Sequence, residues 1–383
     1  MIRICTPAGI AGKIARAWIS RYRNQKPHFA CILSFTETGL QPQISAAGAT
    51  PEARRTTSLA DGEYLCRGFN HQYPLPPLSA GVSPAVIARA ILTYCDIPIH
   101  LFSTGLPQAL CVPHTLLPTV LAKDLSTGAA MSLEQATQLF KSGCEQGRRL
   151  GRTCPNSYWI LSESVVGGTT TAQAILTALG YPVAGKISSS HLLSNHVQKQ
   201  ALVQTGIQRW QCDRQRSPTS SISPLKVQRQ STYIANAHPL EAAAALGDPM
   251  QLVAAGMMLS ISQTAGVLLA GGAQMLAVYA LARAIAKSQD IFWNPHQVII
   301  GTTRWVVEDS SADTIRIAQI IQAPYIASQL SFARSPYVQL RAYEQGFVKE
   351  GTGAGGCAIA AHLYKHATND QLRHAIEAAL RQL

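Results

Sequence analysis

Apolar residues gather into five short runs bounded by turn residues, at 29–35, 97–103, 158–161, 267–270 and 297–302. Runs of that length, rich in Val, Ile, Leu and Phe, predict strands buried on both faces. Between and around them the apolar positions recur at helical spacing. This predicts helices at 11–24, 84–94, 133–150, 170–179, 312–321, 358–366 and 369–383. The stretch 249–282 carries no charged side chain and is long enough to test as a membrane span. Gln251, Gln263, Thr264 and Gln274 interrupt it, and Gly266, Gly271 and Gly272 punctuate it. It is read instead as a helix 250–263, a turn, the strand 267–270 and a helix 273–287. Strands alternating with helices predict an α/β fold: a three-layer αβα architecture around a mainly parallel, Rossmann-like sheet. Ligands of such folds sit at the carboxyl ends of the strands.

Charge and cysteine usage narrow this picture. With 32 basic and 20 acidic residues the chain carries a formal charge of +12. That balance suits an anionic small substrate as well as a nucleic acid. The segment 209–231 holds five Arg or Lys against one Asp and is rich in Ser, Pro and Gln. It reads as a surface excursion between structured parts. As a basic arm for nucleic acid it lacks the series of aromatic side chains that would stack on bases. Nine widely spaced cysteines with no CxxC pair argue against a disulfide framework or a zinc knuckle. The basic N-terminal stretch, free of acid before Glu37, has the look of a transit peptide. It is read instead as a basic amphipathic first helix followed directly by a core strand. The cysteines, read as free thiols of a reducing cytosol, place the protein in the cytoplasm.

Three glycine-rich segments hold the chemistry. After the strand at 158–161 come Glu163, Gly167, Gly168, Thr169, Thr170 and Thr171. Two glycines and a run of hydroxyls opening a helix make an anion cup, because helix N-termini leave amides free and carry partial positive charge. The pattern matches neither a Walker loop nor GxGxxG, so a plain strand–turn–helix corner is the alternative. A carboxylate at Glu163 suits such a corner only if it meets another part of the ligand. Further on, Asp248 and Pro249 mark a helix start, and Gly271 and Gly272 follow a strand end. Near the C-terminus, Glu350 lies between Lys349 and the run Gly351-Thr-Gly-Ala-Gly-Gly. A carboxylate projecting from that turn into a cleft would have its pKa raised by burial and lowered by a nearby Lys349.

Taken in order, these segments resemble the nicotinate-nucleotide–dimethylbenzimidazole phosphoribosyltransferase family, in its divergent archaeal and cyanobacterial branch. The family has Gly-Glu-Met-Gly-Ile-Gly-Asn-Thr-Thr after a strand, where this chain has Ser-Glu-Ser-Val-Val-Gly-Gly-Thr-Thr at 162–170. Its Gly-Glu-Gly-Thr-Gly-Ala turn is Lys-Glu-Gly-Thr-Gly-Ala at 349–354 here. Thr127-Gly-Ala-Ala-Met-Ser-Leu-Glu-Gln-Ala resembles a segment upstream of the glycine loop. Ile44-Ser-Ala-Ala-Gly-Ala-Thr-Pro-Glu resembles a loop lining the base pocket, which gives Ser45 and Ala46 that role. The similarity runs from about residue 28 to about 360.

The resemblance implies transfer of the 5-phosphoribosyl group from nicotinate mononucleotide to a benzimidazole or purine base such as adenine. The products would be an α-ribazole-type nucleotide, for the lower ligand of a cobamide, and nicotinate. It implies Glu350 as the catalytic base and Glu163 as a second catalytic glutamate. It places Gly167, Gly168, Thr169, Thr170, Lys199, Ser328 and Ser331 at the nucleotide phosphate. It implies a homodimer. The partners are then the two substrates, with neither nucleic acid nor membrane among them. No metal or cofactor is needed, since the donor already carries a cationic leaving group. The domain expected is an α/β transferase domain at 28–340, with a smaller helical part built from 1–27 and 341–383.

The chain departs from the family at three places. Gly168 replaces an Asn, Ala270 replaces an Asp, and Ser188-Ser-Ser-His replaces a loop rich in Gly and Asp. These bear on the choice of base more than on the reaction. A non-catalytic nucleotide- or base-binding protein on the same fold is the alternative function. His191, His196, His362 and His366 lack the third ligand and acid of a metal site and are read as solvated or core histidines. Cys357, at a helix start marked by two glycines, reads as a small buried thiol rather than a nucleophile.

Overall fold

The computed structural model describes residues 2–48, 50–69, 72–76, 80–216 and 238–383. Among them eight strands run in chain order: β1 Ile2–Ile4, β2 His28–Ser34, β3 Ile99–Thr104, β4 Thr115–Leu116, β5 Tyr158–Ser164, β6 Gly266–Ala270, β7 Val298–Thr302 and β8 Tyr325–Ser328. They form one sheet in the order β1-β8-β7-β6-β5-β2-β3-β4. Only β1 is antiparallel to its neighbour. The helices of the first half are α1 Gly9–Tyr22, α2 Thr57–Arg67, α3 Pro84–Cys95, α4 Leu133–Thr153, α5 Gly168–Ala178 and α6 His196–Arg216. Those of the second half are α7 Pro239–Leu246, α8 Pro249–Ile261, α9 Ala273–Ser288, α10 Arg304–Val307, α11 Thr314–Ile320, α12 Val338–Glu344, α13 Ala354–Lys365 and α14 Asn369–Leu380.

The three layers follow from the period of two along each central strand. Ala30, Ile32, Trp159, Leu161, Val267, Leu269, Val298 and Ile300 face one core, shared with α4, α5, α7, α8 and α9. Phe29, Cys31, Leu33, Tyr158, Ile160, Leu268, Ala270 and Ile299 face the other, shared with α1, α2, α3, α13 and α14. All five strands expected from the apolar runs are present. The uncharged stretch resolves into α8, β6 and α9, in agreement with the sequence pattern. Asp248 caps α8, accepting from the Gln251 amide at 3.1 Å, while Gln251 reaches back to the Asp248 amide at 3.2 Å. No helix among the described residues is long and apolar enough to cross a membrane.

Other elements carry weaker patterns. Strands β1, β4 and β8 are two to four residues long, too short for a periodic signal. The segment 209–231 differs from the surface excursion its composition suggests, because its first part is the end of α6. Val203, Ile207 and Trp210 are buried there at helical spacing within an otherwise polar sequence. The remainder of that segment, from 217, lies outside the described residues. The chain ends, expected to build a smaller helical part, meet where the Asn24 amide donates to the Leu363 carbonyl at 2.9 Å. They also contribute β1 to the sheet, and α1 and α13 pack on β7 and β8.

Helices α4 and α8 approach closely because glycines replace side chains along the seam. A Cβ on Gly143 would lie 2.3 Å from the Val253 carbonyl oxygen, and one on Gly147 would lie 2.8 Å from Met257 Cα. Gly256 returns the contact, 2.4 Å from the Phe140 carbonyl oxygen. The obstacles are backbone atoms, so they cannot rotate away. Gly147→Leu is therefore expected to destabilise the fold by about 1–3 kcal/mol, the range for overpacked interiors. A lowered urea midpoint with unchanged slope is the expected readout.

Candidate active site

The sheet reverses its direction of winding between β2 and β5. From β2 the chain proceeds outward to β3 and β4, then returns to β5 on the other side and proceeds to β6, β7 and β8. The loops after β2 and β5 therefore leave in opposite directions and open a crevice, the usual place for a ligand. A cavity occupies this end of the sheet. Ser45, Ala46, Asp61, Ser83, Glu163, Gly167, Gly168, Thr169, Ser188, Ser189, Ser190, His191, Gly272, Gln274, Lys349, Glu350 and Thr352 are among its lining residues.

Three helices begin there. Gly167 caps α5 with a φ of +87°, and a Cβ on it would meet the Gly39 amide nitrogen at 2.7 Å. Gly272 precedes α9, and Gly353, with a φ of +75°, caps α13. Three helix N-termini give the cavity a partial positive field that owes nothing to basic side chains.

At α13 that field is met by the protein itself. Glu350 Oε2 accepts from Thr302 Oγ1 at 2.9 Å and from the Thr303 amide at 2.8 Å. Its Oε1 accepts from the amides of Gly351 at 3.2 Å and Gly355 at 3.1 Å. A Cβ on Gly355 would sit 2.6 Å from Glu350 Oε2, so glycine is required for this grip. Burial pushes the Glu350 pKa up, and the four donors offset part of that rise. Lys349, placed beside it in sequence, does not act on Glu350: its ammonium turns to Asp309 at 2.8 Å.

Glu163, near the end of β5, is 6% exposed. Burial, then the charge of Asp248, pushes its carboxyl up to about 8. It is thus protonated at neutral pH and can donate a hydrogen bond. Asp61 lines the same cavity, accepting from Ser164 at 2.8 Å and Ser83 at 3.1 Å, and burial raises it to about 6. Two hydroxyls in the wall, Ser189 Oγ and Thr352 Oγ1, are buried with no hydrogen-bond partner among the described residues. Unpaired buried hydroxyls are costly and point to a ligand that would satisfy them.

The structure thus brings Glu163, Gly167, Gly168, Thr169, Glu350, Ser45 and Ala46 to one cavity. Thr170, in the first turn of α5, is fully buried and does not line the cavity. Lys199 stands one layer back from the cavity wall, its Nζ 3.4 Å from the Ser188 carbonyl oxygen, and burial brings its pKa down to about 7. Ser328 and Ser331 do not reach the cavity. They lie at the end of β8 and just beyond it, near the sheet's edge, where Ser331 Oγ donates to Glu344 at 3.0 Å. Cys357 is buried with its pKa raised by burial, as expected of a packed thiol. Asp61, Ser83 and the pairing of Lys349 with Asp309 have no signature in the sequence. Each becomes a neighbour of the cavity only through contacts between distant segments.

The fold is similar to that of two solved structures from Thermus thermophilus. CobT from Thermus thermophilus superposes with a TM-score of 0.57 at 16% identity, over 97% of this chain and 91% of that one. A nicotinate-nucleotide-dimethylbenzimidazole phosphoribosyltransferase from Thermus thermophilus superposes with a TM-score of 0.56 at 15% identity, over 99% and 92%. No family model matches the chain. Its sequence is 49% identical over 403 aligned positions to a UPF0284 protein of Nostoc sp. (strain PCC 7120 / SAG 25.82 / UTEX 2576), covering all of this chain and 99% of that protein. It is 50% identical over 367 positions to a UPF0284 protein of Cyanothece sp. (strain PCC 7425 / ATCC 29141), covering 95% and 94%. The chain belongs to the UPF0284 family, whose cyanobacterial members fit the divergent branch expected above.

The buried carboxyls set a pH dependence of stability. A carboxyl whose folded pKa is raised binds its proton more tightly when folded. The stability from Glu163 is fully present below its ordinary 4.5 and is lost as pH rises toward about 8. Asp61 and Asp248 act in the same sense only up to about 6. Lys199 acts in the opposite sense, adding stability above about 7. Between pH 6 and 7 Glu163 therefore costs stability as pH rises, while His28, His100, His191 and His362, whose pKa burial lowers, act in the opposite sense, so Glu163→Gln should make the slope of stability against pH more positive over that range. Urea midpoints across the range check this.

Proposed function

We propose that this protein is a phosphoribosyltransferase that moves the 5-phosphoribosyl group of nicotinate mononucleotide to a benzimidazole or purine base such as adenine. The products are nicotinate and an α-linked nucleotide of the ribazole type, for a cobamide lower ligand. The observation that carries this reading is the convergence of Glu163, the Gly167–Thr169 turn and Glu350 on one cavity at the sheet's reversal point.

The roles follow from the local chemistry. The amides of Gly167 and Thr169 at the start of α5 take the donor phosphate, with Lys199 behind the wall adding positive charge. Glu163, protonated at neutral pH, donates a hydrogen bond to a ligand oxygen or ring nitrogen. The acceptor's ring nitrogen attacks the anomeric carbon from the face opposite the nicotinate ring. A carbon–nitrogen bond forms, the bond to the pyridinium nitrogen breaks, and its electron pair leaves with neutral pyridine nitrogen. The proton displaced from the acceptor goes to Glu350. Because the leaving ring is already cationic, the step needs a base, an anion cup and alignment. Alignment alone is worth about 7–11 kcal/mol of barrier. We further propose cytoplasmic location, a homodimer, and division of the chain into an α/β domain 28–340 and a part formed by 1–27 with 341–383.

A second reading has one observation in its favour. Both Glu350 oxygens are engaged by two donors each, leaving the carboxylate with its ordinary acceptor capacity filled. A nucleotide-binding protein without turnover would look the same. The two readings separate on Glu350→Gln. If Glu350 takes the proton, nicotinate release in the presence of the base should fall by about 10²–10⁴-fold, with binding of nicotinate mononucleotide retained. A binding protein gives saturable binding and no nicotinate from either form.

A further inference from the structure

Lys349 has a backbone φ of +71°, and Val348 before it has +66°. Two consecutive side-chain-bearing residues in the left-handed region are strained, and persist only when their surroundings hold them. What holds them here is an ion pair withdrawn from water. Lys349 Nζ lies 2.8 Å from Asp309 Oδ2, and the two side chains are 2% and 3% exposed. The same ammonium donates to the His191 carbonyl at 2.8 Å. Asp309 accepts in addition from Ser188 Oγ at 2.7 Å and from Ser311 Oγ at 2.7 Å.

These contacts tie together three segments far apart in sequence: the turn that carries Glu350, the 188–191 wall, and the connection between α10 and α11. The tie continues on either side. Thr303 Oγ1 donates to the Lys349 carbonyl at 2.5 Å, next to the amide that holds Glu350. The Val348 amide donates to the Ser190 carbonyl at 3.3 Å, and Ser190 Oγ accepts from the Ala46 amide at 2.9 Å. An unbroken chain of contacts therefore runs from the Glu350 turn to the Ser45–Ala46 loop. A buried ion pair adds little net stability against an apolar replacement, and is better understood as selecting one arrangement.

We propose that Lys349 and Asp309 are a positioning pair that fixes the Glu350 turn against the 188–191 wall, holding the proton acceptor and the base-pocket loop as one frame. Neither residue touches the reacting atoms. The kinetic consequence rests on the transferase reading above; the structural consequence does not. Lys199, the other cation facing Asp309, has its charged form disfavoured by burial and then by Lys349.

The test compares Asp309→Asn, Lys349→Met and the double variant. Each single variant strands one buried charge, whereas the double removes both. The double is expected to regain the thermal midpoint lost by the singles. It should nonetheless show faster hydrogen exchange at amides 188–192 and 348–351, with the strands β5 and β6 unchanged. Its kcat should remain depressed by about 10²-fold, the scale of a misplacement of about 1 Å, with KM for nicotinate mononucleotide unaltered. A double variant with wild-type midpoint and wild-type exchange at those amides overturns the proposal. If the wild type itself releases no nicotinate with any base, the transferase reading fails, and the exchange measurement still decides the pair.

Discussion

A parallel sheet that reverses its winding between two adjacent strands must leave a crevice there, and the proposed site of this protein depends on that crevice. Because β2 and β5 are neighbours while their following loops diverge, the floor of the crevice is strand ends and its rim is helix starts. Helix starts supply amides and partial positive charge. Strand ends supply side chains whose carboxyls are half-surrounded by core. The combination keeps Glu163 protonated at neutral pH and pins Glu350 by four donors. No basic side chain has to intrude into the space a ligand would occupy.

The charge arrangement is accordingly indirect. The formal excess of +12 suggests a substrate of opposite sign. The cavity itself is lined by three carboxyls, with Lys349 committed to Asp309 and Lys199 standing behind the wall. Under the proposed function, attraction for an anion comes from backbone dipoles and from a lysine one layer away. In that setting a raised carboxyl pKa removes a negative charge that would repel the ligand. The buried hydroxyls of Ser189 and Thr352, which have no partner among the described residues, mark where polar ligand atoms would be welcome.

Much of the framework is legible in the sequence because buried parallel strands leave continuous apolar runs, and five of them stand out. The glycine-rich turns are legible for a related reason. Gly167 has a positive φ and Gly355 abuts Glu350, so both carry geometric requirements that other residues do not meet. What stays hidden has no local signature. Helix α2 buries Asp61 and Glu63 together with Leu59 and Leu65, so its faces are not separated by polarity. Helix α6 hides three apolar contacts in a polar stretch. The pair Lys349–Asp309 joins residues 40 apart in sequence, and only the folded chain reveals it. Ser328 and Ser331 show the converse: a correspondence of position along the chain puts them at a phosphate, but the sheet carries β8 away from the reversal point.

The central claim is that one cavity holds a sugar between a departing ring and an entering one. Crystals grown with nicotinate mononucleotide and an unreactive analogue of the acceptor base test it most directly. The account predicts the phosphate on the amides of Gly167 and Thr169, the ribose between Glu163 and Glu350, and the base analogue against Ser45 and Ala46. A nucleotide bound elsewhere on the molecule, with this cavity unfilled at saturating ligand, would contradict it.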